Sequence, residues 1–252
     1  MRIAVCFHGL TRSLDKTLPG IQDNLLGPLR AAGAECSIFL HCLTLDSVTN
    51  SRSGEHDCKL DANEWKALCP PGPNALTEPQ EHVDKRLGHG HYQGQPDPWK
   101  DGYASMRNHV RSLYSQGQVL QLIPSPLSFD VIISARPDVL YPRPFDPSWI
   151  ARRGRRPSIV IPEFATYGGL NDRFAAGSPE AMIRYMLRGH AYKELHLTSR
   201  PGVHKKLTGE KFLARWVKER RIKVRRIPWT FARIRANGLI AERDQEYVEG
   251  TS

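Results

Sequence analysis

The chain has 252 residues, of which 40% are hydrophobic, 25% charged and 8% aromatic, a composition that belongs to a globular protein and excludes a disordered or fibrous one. No apolar run approaches the roughly 20 residues that a membrane-crossing helix needs. The formal net charge of +10 is unevenly placed, because residues 1–150 hold 14 Lys/Arg against 16 Asp/Glu and residues 151–252 hold 22 against 10. A basic second half suits nucleic acid, an anionic membrane surface or the phosphates of a small ligand.

The N-terminal run 2–7 reads as an apolar strand and has no signal-like apolar region with a cleavage site, so a cytoplasmic location is expected. The turn 7–13 follows, and Leu25, Leu26 and Leu29 at helical spacing predict a helix over 21–32 with Gly33 as its stop. Residues 36–41 read as a second strand. Strand, helix, strand opens an α/β fold with parallel neighbours. The stretch 44–97 carries Pro70, Pro71, Gly72 and Pro73 and little periodicity beyond a short helical candidate at 62–68, and is expected to be an irregular surface excursion.

Met106, Val110, Leu113 and Tyr114 recur at helical intervals and predict a crossover helix over 101–122. Residues 129–135 form the clearest buried strand, with a further short strand at 158–162. Ser178, Pro179 and Glu180 then open a helix with an N-cap, a proline at its first position and an early acid, running to about 188 with Gly189 as its stop. A last helix over 209–219 precedes a strand over 223–227. Five cysteines, Cys6, Cys36, Cys42, Cys58 and Cys69, show no CxxC spacing and are expected to be reduced thiols. Cys42, His56, Cys58, Cys69, His82, His89 and His91 are residue types that suit zinc, but their spacing matches no zinc pattern.

Four segments can carry chemistry. The strand 129–135 ends in Arg136-Pro137-Asp138, a cation and a carboxylate at the edge where open α/β sheets bind ligands. Asp138 is either a ligand-binding group or a turn aspartate after a proline. The run 167–178 contains Gly168, Gly169, Asn171, Asp172 and Arg173 directly before a capped helix, and reads as a ligand loop or as a glycine-rich loop with an Asp–Arg surface pair. In the first turn, Gly9 and Arg12 can meet a diphosphate, although the run is neither GxGxxG nor a P-loop. Glu210 reads first as an acid in the first turn of a helix, and Arg233 and Arg235 as solvated cations that can also neutralise phosphates.

Carried by 5–13, 129–139, 168–177 and 210–238, the chain resembles nucleotide-sugar glycosyltransferases of the GT-A type. It lies near a group in microbial and large-virus genomes that includes the rhamnosyltransferase domain of a chlorella virus glycan enzyme. The likeness spans most of the chain apart from 44–97. It implies a single GT-A-like, Rossmann-like α/β domain with a mostly parallel sheet flanked by helices. A nucleotide-binding part would cover about 1–140, and an acceptor and basic part about 141–252.

The resemblance also implies hexosyl or deoxyhexosyl transfer from a nucleoside diphosphate sugar to a glycan or similar hydroxyl, assisted by Mn2+ or Mg2+. In this chain Asp138 would be the metal ligand, with Arg136 where the family's first aspartate usually stands. Gly9, Arg12, Arg136, Asp138 and Arg173 would face the donor, and Gly168, Gly169 and Asn171 the acceptor. Asp172 would be the general base, with Glu210 and then Glu163 next in line. No nucleic-acid partner and at most peripheral membrane contact are implied. The alternative reading, a basic nucleic-acid-binding or modifying protein, rests on the basic half and on the cluster of arginines at 152–156.

Overall fold

The fold is described from a computed structural model that covers residues 1–88, 97, 99–151, 157–192 and 208–248. Its centre is a seven-stranded sheet built from β1 (Arg2–Gly9), β2 (Glu35–Thr44), β5 (Ala75–Pro79), β6 (Val131–Ala135), β8 (Ser158–Pro162), β9 (Ala175–Gly177) and β10 (Lys223–Ile227). The spatial order is β10-β8-β9-β6-β1-β2-β5. Strand β9 runs antiparallel to β6 and β8, and every other pairing in this sheet is parallel. The α/β class and the mostly parallel, helix-flanked sheet match the expectation from the sequence.

Strand β1 shows why both faces of the sheet are covered. Its alternate side chains Ile3, Val5 and Phe7 join one core cluster with Leu14, Ile21, Leu25 and Leu29, while Ala4 and Cys6 join a second with Val119, Leu120, Met182 and Leu213. A period of two on a strand buried on both sides gives the near-continuous apolar run read in the sequence. On the first face, the helical path begins at Leu14, earlier than the expected residue 21. It passes through α1 (Leu14–Gly20), a widened turn (Ile21–Leu26) and α2 (Gly27–Ala31). Pro19 and Pro28 lack the N–H that a regular helix would use, and the Gly27 N–H bonds to Gln22 O, five residues back. The opposite face is covered by α4 (Ala104–Gln121), α6 (Pro179–Met186) and α7 (Gly209–Glu219), with the single turn α5 (Ser148–Ala151) between α4 and α6 in the chain.

The stretch 44–97 is more regular than expected. It holds the hairpin β3 (Ser47–Asn50) and β4 (Glu55–Lys59), a 3-10 turn at Glu64–Ala67, the sheet-edge strand β5 and helix α3 (Gln80–Leu87). Strand β5 lacks the apolar alternation of a core strand because polar contacts fasten it. Glu78 accepts from His41 Nε2 at 3.0 Å, from Tyr114 Oη at 2.8 Å and from Arg86 at 2.8 Å. Short strands β7 (Val139–Leu140) and β11 (Ala232–Arg233) pair antiparallel just beyond the carboxyl end of β6. That pairing draws the C-terminal segment across the edge where β1 and β6 end.

All five cysteines are free thiols, and among the described residues no group of three or more His, Cys, Asp or Glu side chains is placed to hold a metal ion. His89, His91 and the arginine cluster at 152–156 lie outside the described residues. No described helix is long and apolar enough to cross a membrane.

Candidate functional site

At the carboxyl edge of the sheet, β1 delivers Arg12 and β6 delivers Arg136 and Asp138. Asp138 is 0% exposed. Its Oδ1 accepts from Arg136 Nε at 2.8 Å, and its Oδ2 accepts from Arg136 Nη2 at 2.6 Å and from Arg12 Nη2 and Nε at 3.0 and 3.2 Å. Burial alone would disfavour the ionised carboxyl, but Arg136 and Arg12 outweigh it and hold the group far below the usual carboxylate range. Arg12 also donates from Nη1 to Glu55 Oε1 at 3.1 Å. Glu55 opens β4, is itself buried, and accepts in addition from Ser53 Oγ and from the Ala236 N–H. Its burial cost is overcome by Arg12, these two donors and Arg235, which together lower its proton affinity.

This donor set does not fit a divalent cation. Both oxygens of Asp138 are taken by guanidinium groups, and Glu55, which shares Arg12 with it, is committed to Arg12 and to a backbone amide. A dication set against Arg12 and Arg136 would meet two positive charges with no surplus of anionic ligands. Asp138, expected from the resemblance as ligand for Mn2+ or Mg2+, stands here as a carboxylate clamping two arginines.

A second group lies alongside. Asp244 is 0% exposed and accepts from the Arg233 N–H at 3.0 Å, from Arg233 Nε and Nη2 at 2.7 and 2.9 Å, and from Arg173 Nη1 at 3.4 Å. The two groups share one field, since Arg136 is influenced by Asp138, Asp172 and Asp244, and Arg233 by Asp244, Arg136 and Asp138.

The third group contains both carboxylates expected to do chemistry. Asp172 and Glu210 are neighbours across the contact between the 163–174 loop and the start of α7. Burial, then the charge of Asp172, raises the Glu210 pKa to about 7, against the opposing effects of its own N–H, Thr208 and Arg173. His109, from α4, completes the group, with Nδ1 3.8 Å from Asp172 Oδ2 and a buried Nε2 that has no partner. Its ring meets Tyr192 and Phe212 edge-on at 5.2 and 6.3 Å, and burial lowers its pKa to about 4, leaving it neutral near pH 7.

Close backbone approach brings this group together. A Cβ on Gly169 would lie 2.1 Å from Glu210 O, and one on Gly209 would lie 2.6 Å from Asp172 Oδ2 and 2.7 Å from His109 Cε1. The Leu170 N–H bonds to Glu210 O at 3.1 Å, which ties the loop to the helix. Gly169 thus serves contact between the loop and α7.

Other expected residues are committed inward. Asn171 is buried, donates to Phe164 O at 3.0 Å and accepts from the Arg173 N–H at 3.0 Å. The Gly9 N–H donates to Ser115 Oγ at 2.9 Å. Gly168 sits at φ +80 beside Lys211. Glu163 caps the carboxyl end of β8, where its N–H bonds to Ile227 O at 3.0 Å. Sequence reasoning missed Glu55, which lies in a stretch without pattern, and His109, whose position three residues after Met106 on the buried helix face was the available signal.

No protein-family model matches the chain, and no curated protein matches it in sequence. Among solved structures it is similar to mouse xyloside xylosyltransferase 1 in its apo form, at 11% identity and a TM-score of 0.47, over 90% of this chain and 85% of that one.

Proposed function

We propose that the protein is a glycosyltransferase that moves a sugar from a nucleoside diphosphate sugar to a hydroxyl of a glycan or similar acceptor. The observation that carries this reading is the pair of carboxylates, Asp172 and Glu210, set beside a group of buried arginines at the ligand-binding edge of a parallel sheet. Such a pair suits deprotonation of an attacking hydroxyl, and the arginines suit a leaving diphosphate. The sequence resemblance to GT-A-type enzymes supports the same class, and hexosyl or deoxyhexosyl transfer rests on that resemblance alone.

In this reading the acceptor oxygen attacks the anomeric carbon and its proton passes to Asp172. The bond from that carbon to the diphosphate oxygen breaks, and the electron pair leaves with the diphosphate toward the guanidinium groups of Arg12 and Arg136. Glu210 sets the charge around Asp172, because it holds a proton that it releases near pH 7. The donor side is drawn mainly from about residues 1–140, to which the 44–97 stretch adds Glu55, with arginines of the C-terminal half beside it. The acceptor side falls within 141–252.

Turnover of a panel of UDP, GDP, dTDP, CDP and ADP sugars provides the test. Wild-type kcat/KM is expected to rise as pH increases through about 7. Glu210→Gln is expected to flatten that limb, and Asp172→Asn to lose about 10²-fold or more in transfer while still binding the nucleoside diphosphate. Absence of turnover with every sugar nucleotide, or full transfer by Asp172→Asn, would refute the assignment.

A further inference from the structure

The arginines of the site differ in what they are bound to. Arg12 and Arg136 are held by Asp138 and Glu55, and Arg173 and Arg233 by Asp244. Arg235 has no carboxylate partner among the described residues. Its Nε is buried without a hydrogen-bond acceptor, although the side chain as a whole is only half-buried. Arg12 and Arg233 both stand close enough to repel it. Burial and those two charges lower its pKa to about 10, with Asp138 and Glu55 offsetting part of the effect.

The backbone around this side chain is firmly fixed. The Arg235 N–H bonds to Leu239 O at 2.8 Å, and Arg235 O accepts from the Gly238 N–H at 2.8 Å and from Ser13 Oγ at 2.6 Å. The Ala236 N–H bonds to Glu55 Oε1 at 2.8 Å, and the Ile234 N–H to Asp138 O at 2.9 Å. A turn pinned to the start of α1, to β4 and to the loop after β6 therefore presents a guanidinium that the protein itself does not neutralise. Arginine is the residue whose fork of donors matches phosphate oxygens, and a buried guanidinium N–H without an acceptor, such as Nε here, is completed by an anion.

We infer that Arg235 is the diphosphate-binding residue of this site, and that its guanidinium, which no carboxylate of the site neutralises, supplies the positive charge a divalent metal would otherwise bring. The ligand class is a pyrophosphate, free or as the diphosphate of a nucleotide. As a donor-site assignment, this inference rests on the transferase reading.

Inorganic pyrophosphate and UDP, GDP, dTDP, CDP and ADP, titrated calorimetrically into the full chain with EDTA and then with manganese, test the inference. Pyrophosphate or one diphosphate is expected to bind in EDTA with a Kd within about threefold of that in manganese. Arg235→Met should weaken it about tenfold or more, and Arg235→Lys should recover part of the loss. A second readout separates binding from scaffolding. Removing a repelled cation should leave the melting temperature of the ligand-free Arg235→Met protein unchanged or raised, whereas loss of a structural contact would lower it.

Binding that appears only with manganese, or an Arg235→Met protein that binds within twofold of wild type, overturns the inference. The two readings can fail separately. Metal-free pyrophosphate binding through Arg235 without turnover of any sugar nucleotide leaves the anion site standing and removes the transferase. Turnover that requires manganese and is unaffected by Arg235→Met does the reverse.

Discussion

Asp138 ties the two arginines of the site's first group together. It lies fully buried between Arg12 and Arg136, and four N–H groups fill its two oxygens. Two guanidiniums without their shared carboxylate would be left with Glu55 as the carboxylate still in hydrogen-bond contact, and only with Arg12. Asp138→Asn keeps the volume and removes the charge, and is expected to cost about 3–5 kcal/mol of folding stability, measured by urea unfolding at pH 7. A loss below about 1 kcal/mol would mean that the arginines find solvent or other partners, and that the clamp is not what holds the end of β6. The sequence exposed Arg136-Pro137-Asp138 as a candidate because a polar triplet ended an apolar strand. It could not show that the arginine two residues earlier, and Arg12 from a strand 126 residues away, would occupy the carboxylate.

At the scale of elements, the contact between the 163–174 loop and the first turn of α7 decides whether Asp172 and Glu210 act as a pair. Thr208 caps α7 by accepting from the Lys211 N–H, and Gly209 and Gly169 remove the two side chains that would hold loop and helix apart. Gly169→Ala puts a methyl group 2.1 Å from a backbone carbonyl oxygen, which cannot rotate away. It is expected to cost about 2–3 kcal/mol by overpacking. It should also move the pH limb of activity below 7, since Glu210 loses burial and the proximity of Asp172. Denaturant melts and a pH–rate profile of the variant check both effects, and an unshifted limb would show that this contact does not set the Glu210 proton affinity.

These elements were unequally legible. The strand at 129–135 and the helices at 101–122 and 209–219 stood out because their apolar positions follow one period throughout. Strand β9 has three residues, Ala175, Ala176 and Gly177, too few to show alternation. The hairpin β3–β4 and strand β5 are held by polar contacts such as Glu78 with His41, which leave no hydrophobic pattern to read. The Asp172–Glu210 pair was visible as two separate candidates, and only the chain's return along α7 joins them.

For the whole molecule, the net charge of +10 says less about the site than the buried pairing does. Asp138, Glu55 and Asp244 all have proton affinities lowered by arginines, so each contributes stability that is fully present above its unfolded pKa and is lost as pH falls through its folded value. Glu210 works in the opposite sense, with a raised affinity whose contribution is fully present below its unfolded value and lost as pH rises through about 7. The denaturation midpoint is therefore expected to fall steeply below about pH 4, where unfolding lets these three carboxylates take up protons, and to decline gently from pH 5 to 8 as Glu210 ionises. Because the three acid-side pairs are buried, 0.5 M NaCl should leave the steep limb nearly unchanged, whereas stability resting on exposed pairs such as Arg215–Glu219 would respond to screening. Urea midpoints from pH 2.5 to 8 at low and high salt measure both limbs. An acid limb that salt abolishes would place the stabilising charge on the surface and remove the argument that this protein folds around its arginine clamps.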